Sequence, residues 1–314
     1  MNKITIIGSG SVGSTIAYTL TIRGICSEIV MIDVNNEKAL GEALDIRQGI
    51  PFCNPCNVYA CTYSDAKDSD IVIITSGIAR KPGQTRLELA QTNIDVLKSI
   101  TPQITHYAPD AVYLIVSNPV DILTYAFCKR SGIPEERIIG SGTILDTARL
   151  RSRLSEYYKI SQNNVHAYVL GEHGDSSFIP WSLANISNVD IDNCPYSFSL
   201  NNSTLPELDR DEVAEYVRKS GGRVIERKGA TFYAVSISVC HICKCLLSGI
   251  DTTMTISTMM HGEYGIDDVC LSTLSVVGNK GIRSKVMLPL NDDEISKLRY
   301  SAEKLKEIIN GTKI

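Results

Sequence analysis

Apolar residues fall in short blocks separated by glycines, polar turns and longer stretches of helical period. Lys3 to Ile7 has the length and character of a buried strand. A glycine turn from Gly8 to Gly13 follows, then a helical stretch from Val12 to Arg23 stopped by Gly24, then a second strand block from Glu28 to Ile32. That succession is one βαβ unit. Strand blocks recur at Asp70 to Thr75 and Ala111 to Ser117 with a helical segment, Arg86 to Tyr107, between them. Residues 1–141 therefore predict an open, mostly parallel sheet with helices on both faces. Residues 142–314 open after Gly140-Ser141-Gly142 and alternate differently. Their pattern predicts helices over Thr143 to Tyr158, Pro206 to about Arg227 and 229–248, and strands around Val165 to Leu170 and Ser284 to Leu288. A last helix runs from Asp292 to Ile309, where Ile295, Leu298, Ala302, Leu305 and Ile309 recur at helical spacing. The expectation is an α/β chain whose second domain is mixed α+β.

Composition removes several alternatives. At 314 residues, 43% hydrophobic and 21% charged, the chain can bury a large core without covalent staples. Lys and Arg number 31 against 35 for Asp and Glu, a net charge of -4, so no basic excess exists to hold a phosphate backbone. No apolar run approaches the ~18 residues needed to cross a bilayer. Met1-Asn2-Lys3 leads straight into the first strand without an apolar leader, which makes a cytoplasmic location the expectation. In such a reducing compartment the ten cysteines are expected as thiols. Cys53-x-x-Cys56 and the run Cys240 to Cys245 have zinc-like spacing, but the second falls inside a helical stretch, and no metal is expected.

Gly8-Ser9-Gly10-Ser11-Val12-Gly13 is a G-x-G-x-x-G turn placed between a strand and a helix. Bare glycines there let a pyrophosphate approach the free N–H groups of the helix start. Asp33 lies twenty residues beyond Gly13, at the end of the next strand, where a carboxylate can accept hydrogen bonds from ribose hydroxyls. The same charge would repel a 2′-phosphate, and Val34-Asn35-Asn36 offers no arginine to offset it, so NAD is favoured over NADP.

Three further segments carry chemistry. Gly171-Glu172-His173-Gly174-Asp175-Ser176 presents a histidine between glycines after an apolar strand, either as a loop residue or as a proton-transfer group. Asp146 and Arg149, three apart, share one helix face as a surface ion pair or a working pair. The basic segment Gly77 to Arg86, punctuated by Pro and Gly, reads as a solvated loop or as a mobile lid.

These segments, with Ser117-Asn118-Pro119-Val120-Asp121 and Lys228-Gly229-Ala230-Thr231, stand in the order found in the L-lactate and malate dehydrogenase family, which the chain resembles over almost its whole length. The resemblance implies a Rossmann domain over 1–141, a catalytic domain over 142–314, and hydride exchange between NAD and a 2-hydroxy acid. It implies His173 as proton-transfer group, Asp146 as its partner, Arg149 as the fork that grips the substrate carboxylate, and Arg86 as the lid residue that polarises the carbonyl. Asn118 would bond substrate and nicotinamide ribose, and Thr231 would line the substrate pocket. Gly8, Gly10, Val12, Gly13, Asp33, Lys38, Tyr63, Gly77, Asn118 and Ser141 would hold the cofactor.

Within the family, Arg80 occupies the position that reads the far end of the substrate. Arg80-Lys81-Pro82-Gly83 resembles malate dehydrogenases, whereas Gly171 to Ser177, Trp181, Thr231 and His261 to Ile266 resemble bacterial L-lactate dehydrogenases. L-Lactate is the expected substrate and malate the alternative; an NAD-binding chain without activity is more remote, because the four reacting side chains are all present. Arg151, about 200° round the helix from Arg149, cannot share its substrate. With His166 it resembles the pair that binds fructose 1,6-bisphosphate between subunits of activated bacterial members, which implies a homotetramer.

Overall fold

The computed structural model describes residues 2–79, 83–194 and 207–314. β1 (Lys3–Ile7) turns into α1 (Ser11–Arg23), and Gly24 ends that helix at φ 59°, a left-handed conformation costly for any residue with a Cβ. Then come β2 (Glu28–Ile32), α2 (Asn36–Gln48), β3 (Asn57–Ala60), β4 (Ile71–Ile74), α3 (Arg86–Tyr107), β5 (Val112–Ile115), α4 (Val120–Arg130) and β6 (Ile138–Gly140). These six strands pair in parallel in the order β3-β2-β1-β4-β5-β6. This doubly wound order opens a crevice at the carboxyl ends of β1 and β4, where the winding reverses. All four residues of β4 are buried, as expected of a strand covered on both faces. A reciprocal cap starts α3: Glu88 N–H donates to the Thr85 hydroxyl at 3.1 Å, and Thr85 N–H donates to the Glu88 carboxylate at 2.8 Å. Ala90, Ile94, Leu97 and Ile104 then share its buried face.

The second half continues with α5 (Ile144–Tyr158), β7 (Val165–His166), β8 (Asn185–Ile186), β9 (Val189–Asp190), α6 (Arg210–Lys228) and α7 (Tyr233–Ser248). It closes with β10 (Thr252–His261), β11 (Asp267–Gly278), β12 (Gly281–Lys285) and α8 (Asp292–Asn310). β7 to β9 form a small antiparallel sheet. β10 joins the free edge of β6 at Ser257 and Gly140, so one nine-stranded sheet runs from the first half into the second.

Departures from the pattern have local causes. The helix expected over 229–248 begins at Tyr233, because Gly229 caps α6 at φ 83° and the chain runs through a loop before α7. The strand expected to reach Leu170 stops at His166: the Thr143 hydroxyl donates to the Val169 carbonyl at 2.5 Å, and Val169 N–H donates to the Thr147 hydroxyl at 2.9 Å. Side chains thus replace a neighbouring strand there. The strand near Ser284 lies earlier, at Gly281–Lys285. Pro206 lies outside the described residues, and the described helix starts at Arg210 behind the capping side chain of Asp209. The long β10–β11 hairpin has no apolar run to announce it, since Thr252–His261 is mostly Thr, Ser and Met and buries several of its hydroxyls.

Candidate active site

The glycine turn is built for close approach. A Cβ at Gly13 would lie 1.8 Å from the Gly8 carbonyl oxygen, and Gly8 itself takes φ 103°. The space beside Gly10, by contrast, is open, and no side chain caps α1. Free N–H groups at a helix start facing open space suit a phosphate. The Asp33 carboxylate fixes this turn by accepting the Ser9 N–H at 2.6 Å and the Asn35 N–H at 2.9 Å. The Ser9 hydroxyl is buried without a hydrogen-bond partner. Burial and the nearby Asp33 charge raise the Tyr63 phenol above its ordinary pKa. Lys38 stands exposed on the first turn of α2, where its N–H donates to the capping Asn35 side chain at 3.1 Å. Gly77 lies beside Asn93 and Ser117, where a Cβ would meet the Asn93 side chain at 3.4 Å, ordinary contact. The turn, the acid and the unpartnered hydroxyl fit a dinucleotide such as NAD.

At the inner end of this crevice a cavity of about 100 Å³ brings together Val12, Asn118, Ser141, Arg149, His173 and Thr231. Six of the residues expected to serve cofactor or substrate, each from a different segment of the chain, therefore meet. His173 Nδ1 lies 2.5 Å from one Asp146 oxygen, and Arg149 Nη1 donates to the other at 2.7 Å. Asp146 is only 6% exposed, yet its pKa lies below the ordinary carboxylate range: burial raises it, but the His173 charge and bond and the Arg149 guanidinium outweigh burial. His173 is pushed up to about 9, first by the Asp146 charge, with burial opposing. At neutral pH the ring is therefore an imidazolium whose Nδ1 is committed to Asp146. Nε2 remains for a substrate.

Arg86, the first residue of α3, does not face this cavity. Its guanidinium pairs with Asp175 and, at 3.4 Å, with Glu172, both on the loop that carries His173. Arg80 lies outside the described residues. Arg151 donates to the Ala167 carbonyl at 3.2 Å and stacks over the Tyr168 ring. With exposed His166 it lines a separate cavity of about 730 Å³ that Arg23 and His241 also reach. Burial, with the charges of Arg23, Lys244 and Arg151, holds His241 below its ordinary pKa.

Three supporting residues carried little functional signal in the sequence, and of these only Asp121 belongs to one of the motifs. The Asn93 side chain accepts the Ile78 N–H at 2.7 Å and donates to the Asn118 carbonyl at 2.7 Å, tying the base of the basic segment to the cavity wall. A polar residue on the buried face of α3, beside Ala90 and Ile94, was the available clue. The Ser301 hydroxyl accepts the Glu172 N–H at 2.7 Å, so α8 braces the histidine loop from behind. Asp121 accepts the His173 N–H at 2.7 Å.

Comparison with known proteins agrees with this geometry. Residues 2–140 match the lactate/malate dehydrogenase, NAD binding domain, and residues 143–313 match the lactate/malate dehydrogenase, alpha/beta C-terminal domain. The chain is 44% identical over 310 residues to an L-lactate dehydrogenase of Thermoanaerobacterium saccharolyticum, covering 98% of each chain. It is 47% identical over 311 residues to one of Clostridium botulinum, covering 98% of this chain and 96% of that one. Among solved structures, the minor L-lactate dehydrogenase from Enterococcus mundtii in a ligands-bound form superposes with a TM-score of 0.94 at 34% identity, over 100% of this chain and 99% of that one. The L-lactate dehydrogenase of Clostridium thermocellum does so with a TM-score of 0.88 at 39% identity, over the full length of both.

Proposed function

The chain belongs to the lactate/malate dehydrogenase family, and from that premise we propose that it interconverts L-lactate and pyruvate with NAD as cofactor. The observation that carries this reading is the Asp146 carboxylate shared between His173 Nδ1 and Arg149 Nη1 beside the cavity lined by Asn118 and Thr231. Bound in the crevice, NADH supplies the hydride and NAD⁺ accepts it. The chain's own residues do the rest. Arg149, with its remaining N–H groups, takes the substrate carboxylate in two-pronged fashion. His173, an imidazolium at neutral pH, donates its Nε2 proton to the carbonyl oxygen of pyruvate and, once neutral, takes the hydroxyl proton of lactate in the reverse direction. Asp146 steadies the charged ring in both. Arg86 exchanges Asp175 and Glu172 for the developing oxyanion when the basic segment closes over the substrate. The division into a cofactor domain over 1–141 and a substrate domain over 142–314 follows from the same reading.

Arg80 supports a second substrate, oxaloacetate, because a cation there meets a second carboxylate. The test is kcat/KM for pyruvate and for oxaloacetate with NADH, before and after Arg80→Gln. For a lactate enzyme, pyruvate is preferred and the substitution leaves its kcat/KM within about tenfold. A preference for oxaloacetate that Arg80→Gln reverses would make this a malate dehydrogenase on a lactate-type scaffold. The same reading extends to a cytoplasmic homotetramer activated by fructose 1,6-bisphosphate, for which the cavity carrying Arg151, His166 and Arg23 supplies the anion-binding side chains. Among the described residues no helix is long and apolar enough to cross a membrane.

A further inference from the structure

The carboxylate of Asp121 stands where a carboxylate is costly. It lies on the first turn of α4, three residues after Asn118, and is only 2% exposed. One of its oxygens, Oδ2, accepts the backbone N–H of His173, 52 positions away in the chain. The other, Oδ1, is buried and makes no well-formed hydrogen bond; the Ser257 hydroxyl faces the carboxylate and favours its ionised form without compensating for burial. Burying a carboxylate without a cation or a full set of hydrogen bonds costs folding free energy. No cation is bonded to it, and the charges facing it are the His173 ring, which favours its ionised form, and Glu172, which opposes it. Seen from His173, the charged groups are Asp146 and Asp121 on the favourable side and Arg149 on the other.

We propose that Asp121 is a positioning residue for proton transfer: it holds the His173 backbone and sets a second buried negative charge behind the imidazolium. The first role needs only an acceptor, which asparagine would also supply. The second needs the charge. Asp146 grips the ring by a direct bond, whereas Asp121 reaches it across the histidine's own backbone and acts by field alone. Because Asp121 sits on the turn after Asn118-Pro119, it also couples the segment that lines the cavity to the loop that carries the ring. The proposal rests on His173 being the proton-transfer group.

Asp121→Asn separates the two roles, since it keeps an oxygen for the His173 N–H and removes the charge. Two readouts apply. The first is the pH profile of pyruvate reduction between pH 6 and 10, where the alkaline limb reports loss of the imidazolium. The second is the titration of the His173 ring resonance by NMR in the cofactor-free protein, which needs no turnover. The expected result is displacement of both to lower pH, kcat/KM at pH 9 down about threefold or more, and unchanged NADH affinity. Should asparagine prevent folding, Asp121→Ser removes the charge without adding volume and is read in the same way. A ring titration that stays at its wild-type pH would overturn the proposal, whether or not the rate falls, and would leave Asp121 as a support for the backbone. Full turnover in His173→Asn would instead remove the histidine from the reaction, while the ring titration in the Asp121 variant still decides whether the field exists.

Discussion

Replacing Asp146 by asparagine tests the centre of the site, because the carboxylate is the first cause of the raised His173 pKa. The ring moves from an ordinary 6.5 to about 9. At 1.36 kcal/mol per unit, that displacement corresponds to ~3.4 kcal/mol of preference for the imidazolium, an upper bound because the side chain keeps 26% of its exposure. Without the carboxylate, burial and Arg149 oppose the charge and only Asp121 favours it, so the ring falls back toward its ordinary value or below. At pH 7.5 a ring titrating near 9 is almost wholly protonated, and one near 6.5 is protonated in roughly a tenth of molecules, so pyruvate reduction should drop about tenfold from protonation alone. Near pH 5.5 most of that loss should vanish. Lactate oxidation needs the neutral ring, and its rising limb should move to lower pH by the same displacement. The assay is kcat/KM against pH in both directions for wild type and Asp146→Asn. The sign for folding is equally defined: a histidine raised in the folded state contributes stability that is complete below pH 6.5 and lost as pH rises through about 9. If both directions fell by one constant factor at every pH, the carboxylate would be orienting the ring without charging it, and the reasoning would be refuted.

Two other outcomes are expected. Fructose 1,6-bisphosphate should lower the KM for pyruvate and favour the tetramer in wild type but not in Arg151→Ala; absence of any kinetic or sedimentation response at millimolar effector would remove the regulatory reading. Asp121→Asn should stabilise the fold at pH 7.5: the acid is pushed from 3.8 up to about 6, a cost of ~3 kcal/mol that is absent below pH 4 and complete above 6. A thermal scan should show Tm up by roughly 4 °C at pH 7.5 and unchanged near pH 4, given ~2.1 cal/mol/K per residue.

What could be read from the chain was what is local. β1, the glycine turn, α1 and β2 follow one another within a few tens of residues, and each has its own signal of period, cap or turn. The histidine loop announced itself by flanking glycines, one of which, Gly171, takes φ 92° with Ser301 crowding the space a side chain would need. The β10–β11 hairpin did not, since Thr and Ser read as surface until a partner strand covers them. Asn93 and Asp121 were legible as polar residues near a motif and nothing more. Their meaning lies in bonds to Asn118 and His173 that only the folded chain makes. Arg86 shows the opposite limit. Its identity was plain, but its pairing with Glu172 and Asp175, 86 and 89 positions away, is made only by the folded chain.

The two aspartates behind His173 divide the work because their surroundings push their titrations apart. Both are buried, and burial raises both. Asp146 receives a ring N–H and an arginine N–H on its two oxygens, and these return more than burial removes. Asp121 receives one backbone N–H and faces only the Ser257 hydroxyl besides, which together return less than burial removes. The first is held in its charged form below the ordinary carboxylate range and can therefore anchor a transferable proton. The second gives up its charge within reach of ordinary acid conditions, but only where His173 is already protonated, so losing that charge does not stall reduction. At neutral and alkaline pH, where the imidazolium needs support, both charges are present. A more stable protein would satisfy or replace Asp121. Keeping a half-satisfied carboxylate in the core is the kind of local conflict that marks a working site.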